Sequence, residues 1–267
     1  MIDQPGESVT PELLLRVMGL TKFFGGLCAV ADLDLEIRPG ELVALIGPNG
    51  AGKTTAFNLI SGFLPPTRGR IYYSDRDITR LKAHSVARLG LVRSFQSNVL
   101  FAGKTVKENL LIGFYNQYRT GFWQDILGTR AHQAELEAMD RQADELLQFF
   151  DLTQYHDVKA GSLTHGHQRI LGVAMALASR PRLLLLDEPV SGLNDEETTT
   201  MMRHIRETRD RGITIILVEH DMKAVMGNCE RIVVMHYGRK IAEGTPQEIV
   251  NHPLVIEAYL GNGDLDV

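Results

Sequence analysis

Gly47-Pro48-Asn49-Gly50-Ala51-Gly52-Lys53-Thr54-Thr55 separates two short apolar segments of the chain. Residues 42–46 before it are continuously apolar, which predicts a buried strand, and residues 56–60 after it predict the first turns of a helix. A strand, a G-x-x-x-x-G-K-T sequence and a helix in this order are typical of a phosphate-binding P-loop. Residues 47–55, called the P-loop below, are therefore predicted to bind the phosphates of a nucleotide.

The P-loop residues have distinct physical roles in this prediction. Gly50 and Gly52 accept backbone angles that are closed to residues with a Cβ atom, so successive N–H groups can curve around an anion. Lys53 adds a full charge, and the helix that begins near it adds a dipole effect of only about 0.3–1 kcal/mol. Charge-assisted hydrogen bonds of roughly 1.5–3 kcal/mol each must therefore supply most of the affinity. The Thr54 hydroxyl is placed to bind Mg²⁺ beside the outer phosphates.

The composition of the 267-residue chain is that of a globular protein, with 44% hydrophobic and 23% charged residues. Its net charge of −5 disfavours general nucleic-acid binding, because a phosphate backbone would be repelled. We find no signal peptide and no apolar run near the about 18 residues that cross a bilayer, and we expect a soluble chain with membrane contacts through a partner. Cys28 and Cys229 are interpreted as buried side chains in a reducing compartment.

The pattern along the chain predicts an α/β core with two additions. Residues 1–12 are polar and are expected to form a flexible tail. Three short segments have strand character and indicate a small antiparallel sheet, namely 13–17, 33–37 and 70–73. After residue 180, strands alternate with a helix, which indicates a buried parallel sheet, in the segments 183–186, 195–211 and 213–218.

The region from about 105 to 180 has helical patterns. Ala143, Leu146, Leu147 and Phe150 recur on one face of an amphipathic helix. An aromatic cluster precedes it, comprising Phe114, Tyr115, Tyr118, Phe122 and Trp123. We interpret this cluster as the core of the helical region, since aromatic clusters are more often packed than exposed, and keep a docking surface for a membrane partner as the alternative.

Two acidic residues follow the apolar strand at 183–186. Asp187 and Glu188 are thereby delivered to the carboxyl edge of the sheet, where ligands bind in open α/β folds. Asp187 is placed to hold Mg²⁺ and Glu188 to orient and polarise an attacking water. Burying two adjacent acids without a cation is costly, so an acidic pair that merely starts a loop is the weaker interpretation. The sequence therefore predicts nucleotide hydrolysis.

The order of these motifs resembles the ATP-binding subunit of an ABC transporter over nearly the whole chain. Four further segments carry the resemblance: Gln96 in Ser94-Phe95-Gln96 (the Q-loop), a signature segment at 163–169, the D-loop Ser191-Gly192-Leu193-Asn194, and His220 in Val218-Glu219-His220-Asp221. The resemblance implies a RecA-like P-loop NTPase core with an antiparallel β subdomain, at 13–96 and 181–267, and a helical signature subdomain at 97–180.

The resemblance also assigns roles to individual residues. Gln96 is expected to reach both Mg²⁺ and the lytic water, His220 to meet the terminal phosphate, and Phe24 to stack on adenine, with Phe23 as the alternative. Thr164 and Gly166 in the signature segment are expected to contact the ATP held by a second ATPase subunit, and Asn194 in the D-loop is also expected to bind nucleotide. Because the chain has one P-loop and one signature segment, it is expected to work as a homodimer or with a sibling ATPase.

The signature segment departs from the family pattern. The family's Leu-Ser-Gly-Gly-Gln stands here as Leu163-Thr164-His165-Gly166-His167, which retains a hydroxyl and the second glycine. His165 and His167 replace a glycine and a glutamine, which puts the efficiency of hydrolysis in question. A His-x-His metal site is the alternative, disfavoured because no third ligand lies nearby in sequence.

Several segments resemble the branched-chain amino-acid importers in particular. They are residues 22–30, 93–96, 192–198 and 256–261. This resemblance implies two membrane permeases, an indirectly coupled solute-binding protein, and a peripheral location on the cytoplasmic face of the inner membrane. Importers of urea or short amides and lipopolysaccharide exporters remain alternatives. A soluble ABC ATPase of translation or DNA repair and a small-molecule P-loop kinase are less consistent with the motifs.

Overall fold

Two β-sheets organise the part of the chain that the computed structural model describes, residues 13–94, 100–114 and 130–260. The strands are β1 Leu15–Phe24, β2 Leu27–Ile37, β3 Leu42–Ile46, β4 Arg68–Tyr73, β5 Arg76–Asp77, β6 Leu91–Arg93, β7 Leu183–Asp187, β8 Thr214–Val218, β9 Arg231–His236 and β10 Arg239–Gly244. The helices are α1 Lys53–Ile60, α2 Ala83–Arg88, α3 Val106–Gly113, α4 Arg130–Phe149, α5 His165–Ala178, α6 Asp195–Asp210, α7 Met222–Met226, α8 Pro246–Val250 and α9 Pro253–Leu260.

The smaller sheet is antiparallel and has the strand order β2-β1-β4-β5. Leu15 on β1 pairs with Ile37 on one side and with Tyr73 on the other. The antiparallel sheet predicted from three short segments is therefore confirmed. Its strands extend beyond those segments, because backbone pairing continues through polar residues that carry no apolar signal.

The larger sheet has the order β10-β9-β3-β8-β7-β6, and only β10 runs antiparallel to its neighbour. Every residue of β3, β7 and β8 is buried. Alternate residues enter different cores: Ala44 packs with the helical region, whereas Val43 and Leu45 pack with α1 and the smaller sheet. Covering both faces explains why these strands are continuous apolar runs.

The helical region packs on the first of these cores. Ala143, Leu147 and Phe150 are fully buried, which confirms the predicted apolar face, although α4 ends one residue before Phe150. Phe114 is also buried. The other members of the aromatic cluster, Tyr115, Tyr118, Phe122 and Trp123, lie outside the described residues.

The expectations for the two cysteines and for membrane-spanning segments can also be compared with the structure. Cys229 is buried as expected, but Cys28 is only half-buried because it lies near the exposed tip of the β1–β2 hairpin. Within the described ranges, we find no helix with both the length and the apolar character that spanning a membrane requires. The tail at 1–12 and the Q-loop glutamine Gln96 lie outside those ranges.

Candidate nucleotide-binding site

The P-loop is held between β3 and the turn that joins β9 to β10. The amide of Gly238 in that turn donates to the carbonyl of Ala51 at 3.0 Å. Gly52 has a φ of 98°, and a Cβ atom there would lie 2.4 Å from the carbonyl oxygen of Ala29. A Cβ atom at Gly47 would lie 2.1 Å from the carbonyl oxygen of Met235. These glycines are required because the backbone of neighbouring strands approaches the loop closely.

Lys53 begins α1 and folds back over the P-loop. Its Nζ donates to the carbonyl of Gly47 at 2.5 Å and to that of Pro48 at 3.0 Å. Burial lowers the pKa of Lys53, and the negative charges of Glu188 and Asp187 act in the opposite direction. The ammonium group therefore lies at the centre of the loop, where an incoming phosphate can replace the two carbonyl acceptors.

The register of the larger sheet brings the other predicted residues to the P-loop. Val218 at the end of β8 pairs with Leu45 on one side and with Asp187 on the other. The P-loop, the pair Asp187-Glu188 and the segment leading to His220 therefore leave the sheet at one edge. This is the edge at which ligands bind in open α/β folds.

Asp187 is buried and is paired with Arg93, the last residue of β6. The Arg93 Nη2 donates to Asp187 Oδ2 at 2.5 Å, and only 7% and 1% of the two side chains is exposed. The Arg93 Nη1 donates to Asn58 Oδ1 on α1, also at 2.5 Å. One guanidinium thus joins β6, β7 and the P-loop helix.

The remaining oxygen of Asp187 suits a metal ion. Asp187 Oδ1 is buried and has no hydrogen-bond partner among the described residues. A buried carboxylate oxygen without a donor is costly unless a cation or water reaches it. The Thr54 hydroxyl, on the exposed first turn of α1, offers a second oxygen ligand. Both are the hard oxygen ligands that Mg²⁺ prefers, so the residues present fit this ion.

Glu188 and His220 face each other beyond the strand ends. The Nδ1 of His220 lies 3.9 Å from Glu188 Oε1, and the imidazole side chain is 59% exposed. Glu188 has a φ of 48°, a left-handed conformation that costs a residue with a side chain about 1–3 kcal/mol. Strain of this kind clusters at functional sites, where the surrounding structure maintains it.

Glu219, between Val218 and His220, is fully buried and accepts two backbone hydrogen bonds. Its Oε1 accepts from the amide of Val190 at 2.9 Å and its Oε2 from the amide of His220 at 3.2 Å. Burial raises the pKa of Glu219 to about 7, despite these donors. Its carboxylate links the segment after β7 to the segment after β8.

Phe24 ends β1 and exposes 46% of its surface at the hairpin tip. Lys22 Nζ lies 5.3 Å from the centroid of its ring. Phe23, the alternative residue, exposes 41% of its surface. Both rings remain candidates for adenine stacking.

The signature segment lies against α6 of the same chain, and its other neighbours include Tyr155 and Ala160. Thr164 caps α5 and its hydroxyl lies 2.8 Å from His167 Nδ1. A Cβ atom at Gly166 would lie 2.4 Å from Glu197 Oε1, so a larger residue there would have to displace the Glu197 side chain. Asn194 caps α6 by accepting from the amide of Glu197 at 2.9 Å.

Metal binding by the signature histidines gains no support from the geometry. Among the residues that the structure describes, no group of three or more His, Cys, Asp and Glu side chains could hold a metal ion. His167 instead packs against the ring of Tyr155, with 4.6 Å between centroids.

Arg93 and Glu219 are the site residues that sequence reasoning missed. Arg93 ends a strand of only three residues, too short to be recognised from its apolar pattern. Glu219 is adjacent to His220 and directly follows a buried strand, so its burial could have been inferred from position. Its hydrogen bond to Val190 joins residues 29 positions apart and depends on the order of the strands.

Comparison with known proteins agrees with this geometry. A family model described as "ABC transporter" matches residues 30–191, which is more than half of the chain. The chain belongs to the ABC transporter ATP-binding family. A second model, described as "Branched-chain amino acid ATP-binding cassette transporter", matches residues 239–264.

Individual relatives extend the ABC family assignment over most of the chain. The branched-chain amino acid transport ATP-binding protein LivG of Salmonella typhimurium is 46% identical, over 93% of this chain and 98% of LivG. The lipopolysaccharide export ATP-binding protein LptB of Acidithiobacillus ferridurans is 36% identical, over 93% and 97%. An ABC transporter cassette crystallised in its ADP conformation is 30% identical and superposes with a TM-score of 0.82, over 94% and 99%. This chain is accordingly an ABC-type ATPase with the P-loop fold.

The burial of Glu219 predicts a pH-dependent contribution to stability. Its pKa rises from 4.5 unfolded to about 7 folded, so its carboxyl stabilises the fold at low pH and that contribution is lost as the pH rises towards 7. In E219Q the glutamine side chain stays neutral, so this variant does not lose stability as the pH rises through that range. We expect the free energy of unfolding of E219Q, relative to the parent, to increase by about 2–3 kcal/mol between pH 5 and pH 8, measured by urea unfolding.

Glu243 provides a control of opposite sign. Burial acts to raise its pKa, but hydrogen bonds from Lys240 and Arg231 lower it overall. E243Q is therefore expected to be less stable than the parent once the native carboxylate is ionised. A constant difference between E219Q and the parent from pH 5 to pH 8 would contradict the assignment for Glu219.

The Arg93–Asp187 pair predicts a large stability difference between two arginine variants. R93M leaves a buried carboxylate without its partner and is expected to lower the free energy of unfolding by about 3–5 kcal/mol. The pair Arg38–Glu41, with 3.7 Å between charged atoms and an exposed arginine, supplies the control R38M, which should lose less than about 1 kcal/mol because Glu41 keeps its pairing with Arg231. The double variant R93M/D187N should recover much of the loss; equal losses in R93M and R38M would contradict the pairing.

Proposed function

We propose that this chain hydrolyses ATP to drive the import of branched-chain amino acids. The observation that carries this proposal is the 46% identity to LivG along almost the whole of both chains. The C-terminal match at 239–264 to a branched-chain amino acid cassette model supports the same choice. LptB is a more distant relative at 36%, so lipopolysaccharide export is the second candidate and import of urea or short amides the third.

The nucleotide is bound at the edge where β3, β7 and β8 end. Phe24 stacks on the adenine, and such stacking contributes about 1–3 kcal/mol. The backbone N–H groups of residues 47 and 49–55 and the Lys53 ammonium hold the phosphates, with the ammonium exchanging its contacts with Gly47 and Pro48 for phosphate oxygens. The buried position of Lys53 strengthens this interaction, because few waters compete for its charge.

Thr54, Asp187 and Gln96 are proposed to hold Mg²⁺. The unpartnered Oδ1 of Asp187 supports this role, since its other oxygen is already bonded to Arg93. When bound, Mg²⁺ neutralises negative charge on the outer phosphates during phosphoryl transfer. Of these oxygens, Thr54 presents its own from the first turn of α1 and Asp187 from the end of β7.

Glu188 is proposed to orient and polarise the attacking water, and His220 to contact the terminal phosphate. Their side chains approach within 3.9 Å, so both can reach one reacting phosphate. Gln96 is assigned the same water, and it lies outside the described residues. Glu188 has a left-handed backbone, and its side chain is 20% exposed beside the His220 imidazole.

Hydrolysis is proposed to require a second ATPase subunit. Thr164, Gly166 and Asn194 are assigned to the ATP held by that subunit, and Thr164 and Asn194 have exposed side chains. This chain supplies one P-loop and one signature segment, and thus two half-sites. The partner is either a second copy of this chain or a sibling ATPase.

A groove between the core and the helical region supports coupling to membrane permeases. It has a volume of about 520 Å³ and is lined in part by Phe63, Leu100, Phe101, Ile112 and Met175. Phe63 and Phe101 expose 47% and 48% of their surface. Arg93 and Asp187 also line the groove, so a permease segment bound there would contact the surroundings of the proposed metal ligand.

The proposed location follows from this coupling. Two permeases would hold the ATPase pair at the cytoplasmic face of the inner membrane as peripheral subunits. A solute-binding protein would act on the permeases and have no direct contact with this chain. No role in nucleic-acid binding is proposed, given the net charge of −5.

The role of Glu188 predicts a separation of ATP binding from turnover. E188Q removes the group that polarises water but retains the phosphate contacts, so we expect ATP affinity within about twofold of the parent and turnover reduced at least a hundredfold. Nucleotide titration and phosphate release by the assembled transporter measure the two quantities. E196Q, in the exposed first turn of α6, is the matched control and should keep both. Near-parental turnover of E188Q would show that another group acts on the water.

The groove and the solute assignment can be tested with one set of variants. The complex is purified from membranes in mild detergent, and uptake of labelled leucine is measured in cells. F101D should weaken permease association at least tenfold, since burying a phenylalanine contributes about 1.5–3 kcal/mol, while ATP binding persists. M18D, on an exposed residue of β1 outside the groove, is the control. Parental association of F101D would contradict the docking site; export permeases without leucine uptake would favour the second candidate.

A further inference from the structure

The carboxylate of Glu219 lies between the two segments that carry the catalytic assignments. It is fully buried, and each of its oxygens accepts one backbone hydrogen bond. One donor, the amide of Val190, belongs to the chain after β7, and the other, the amide of His220, to the chain after β8. The side chain therefore links these two segments beyond the point where the strand ladder ends.

The first of these links supports the strained backbone of Glu188. The Glu188 amide donates to the carbonyl of Val218 at 2.9 Å, and two residues later the Val190 amide donates to Glu219 Oε1. The two acceptors belong to Val218, the last residue of β8, and to Glu219, the residue after it. A left-handed residue reverts to a relaxed conformation unless its neighbours are held, and Glu219 holds the C-terminal side.

The second link fixes the backbone that carries the His220 imidazole. Its Nδ1 lies 3.9 Å from Glu219 Oε2 and 3.9 Å from Glu188 Oε1. The imidazole is largely exposed, so few packing contacts restrict it. Its position relative to Glu188 then depends on the backbone hydrogen bond at residue 220.

We propose that Glu219 is a positioning residue for ATP hydrolysis, whose one buried carboxylate holds Glu188 and His220 at a fixed separation. The proposal rests on the roles given to these two residues under the proposed function. Two N–H donors on different segments require two acceptors, which a carboxylate supplies and an amide does not. In E219Q the side-chain NH₂ group faces one of the two backbone donors, so one link is lost while the volume is retained.

The test compares E219Q and E219A with T214V. Thr214 is the first residue of β8, whereas Glu219 follows the last residue of that strand. The Thr214 hydroxyl accepts a hydrogen bond from the Gly40 amide at 2.9 Å. T214V therefore loses one hydrogen bond away from the nucleotide. ATP affinity is measured on the full chain, kcat on the assembled transporter, and stability by urea unfolding at pH 8.

The proposal expects E219Q to lower kcat at least tenfold while ATP affinity changes less than twofold. E219Q should at the same time be more stable than the parent at pH 8, because a buried charge is removed. T214V should be less stable and keep kcat within twofold. A variant that is more stable but slower separates positioning from a merely structural role; E219A, which loses both acceptors, should slow turnover at least as much.

Two results would overturn the proposal. One is a folded E219Q with kcat within twofold of the parent. The other is a loss of kcat in E219Q that is matched by equal losses of affinity and stability. The E188Q variant distinguishes failure of the proposed function from failure of this inference. Parental turnover in E188Q would contradict both. An inactive E188Q together with a fully active E219Q would contradict this inference alone.

Discussion

The alignment of three parallel strand ends is the constraint on which the rest of the site depends. Val218 pairs with Leu45 and with Asp187, so β3, β8 and β7 end at one level. Each strand is buried on both faces, and alternate residues enter different cores. A shift of one residue would exchange these faces and move the P-loop, the acids and His220 relative to one another. Packing of uncharged side chains therefore sets the geometry of the charged ones.

That geometry concentrates carboxylates where solvent is scarce. Asp187 and Glu219 are buried and Glu188 is half-buried, and the two buried carboxylates are stabilised in different ways. Arg93 forms an ion pair with Asp187, whereas two backbone amides donate hydrogen bonds to Glu219. A buried ion pair is weak evidence for stability, because desolvation offsets much of the attraction. The arrangement is better understood as fixing one oxygen of Asp187 and leaving the other available to a cation.

Sequence reasoning located β3, β7, β8 and the P-loop because their signals are local. The apolar run before Gly47 and the acids after Leu186 each identify a strand end without knowledge of the sheet order. The apolar run 232–235 in β9 has the same signal, although it is not among the predicted strands. Arg93 and Glu219 could not be assigned contacts from sequence, because their partners lie on other strands and depend on strand order. Gly166 illustrates a further limit: its close neighbour within the chain is Glu197, which no local pattern indicates.

The groove and the nucleotide site share structural parts, which bears on how membrane movement could reach the phosphates. Arg93 lines the groove and contacts both Asp187 and the P-loop helix through Asn58. A segment pressing on the groove would act on this guanidinium, and a displaced guanidinium would leave Asp187 without its partner. Because a lone buried carboxylate is far more costly than a paired one, the proposed metal ligand and the proposed docking surface are energetically linked through one residue. No long chain of contacts is needed between them, since Arg93 belongs to both.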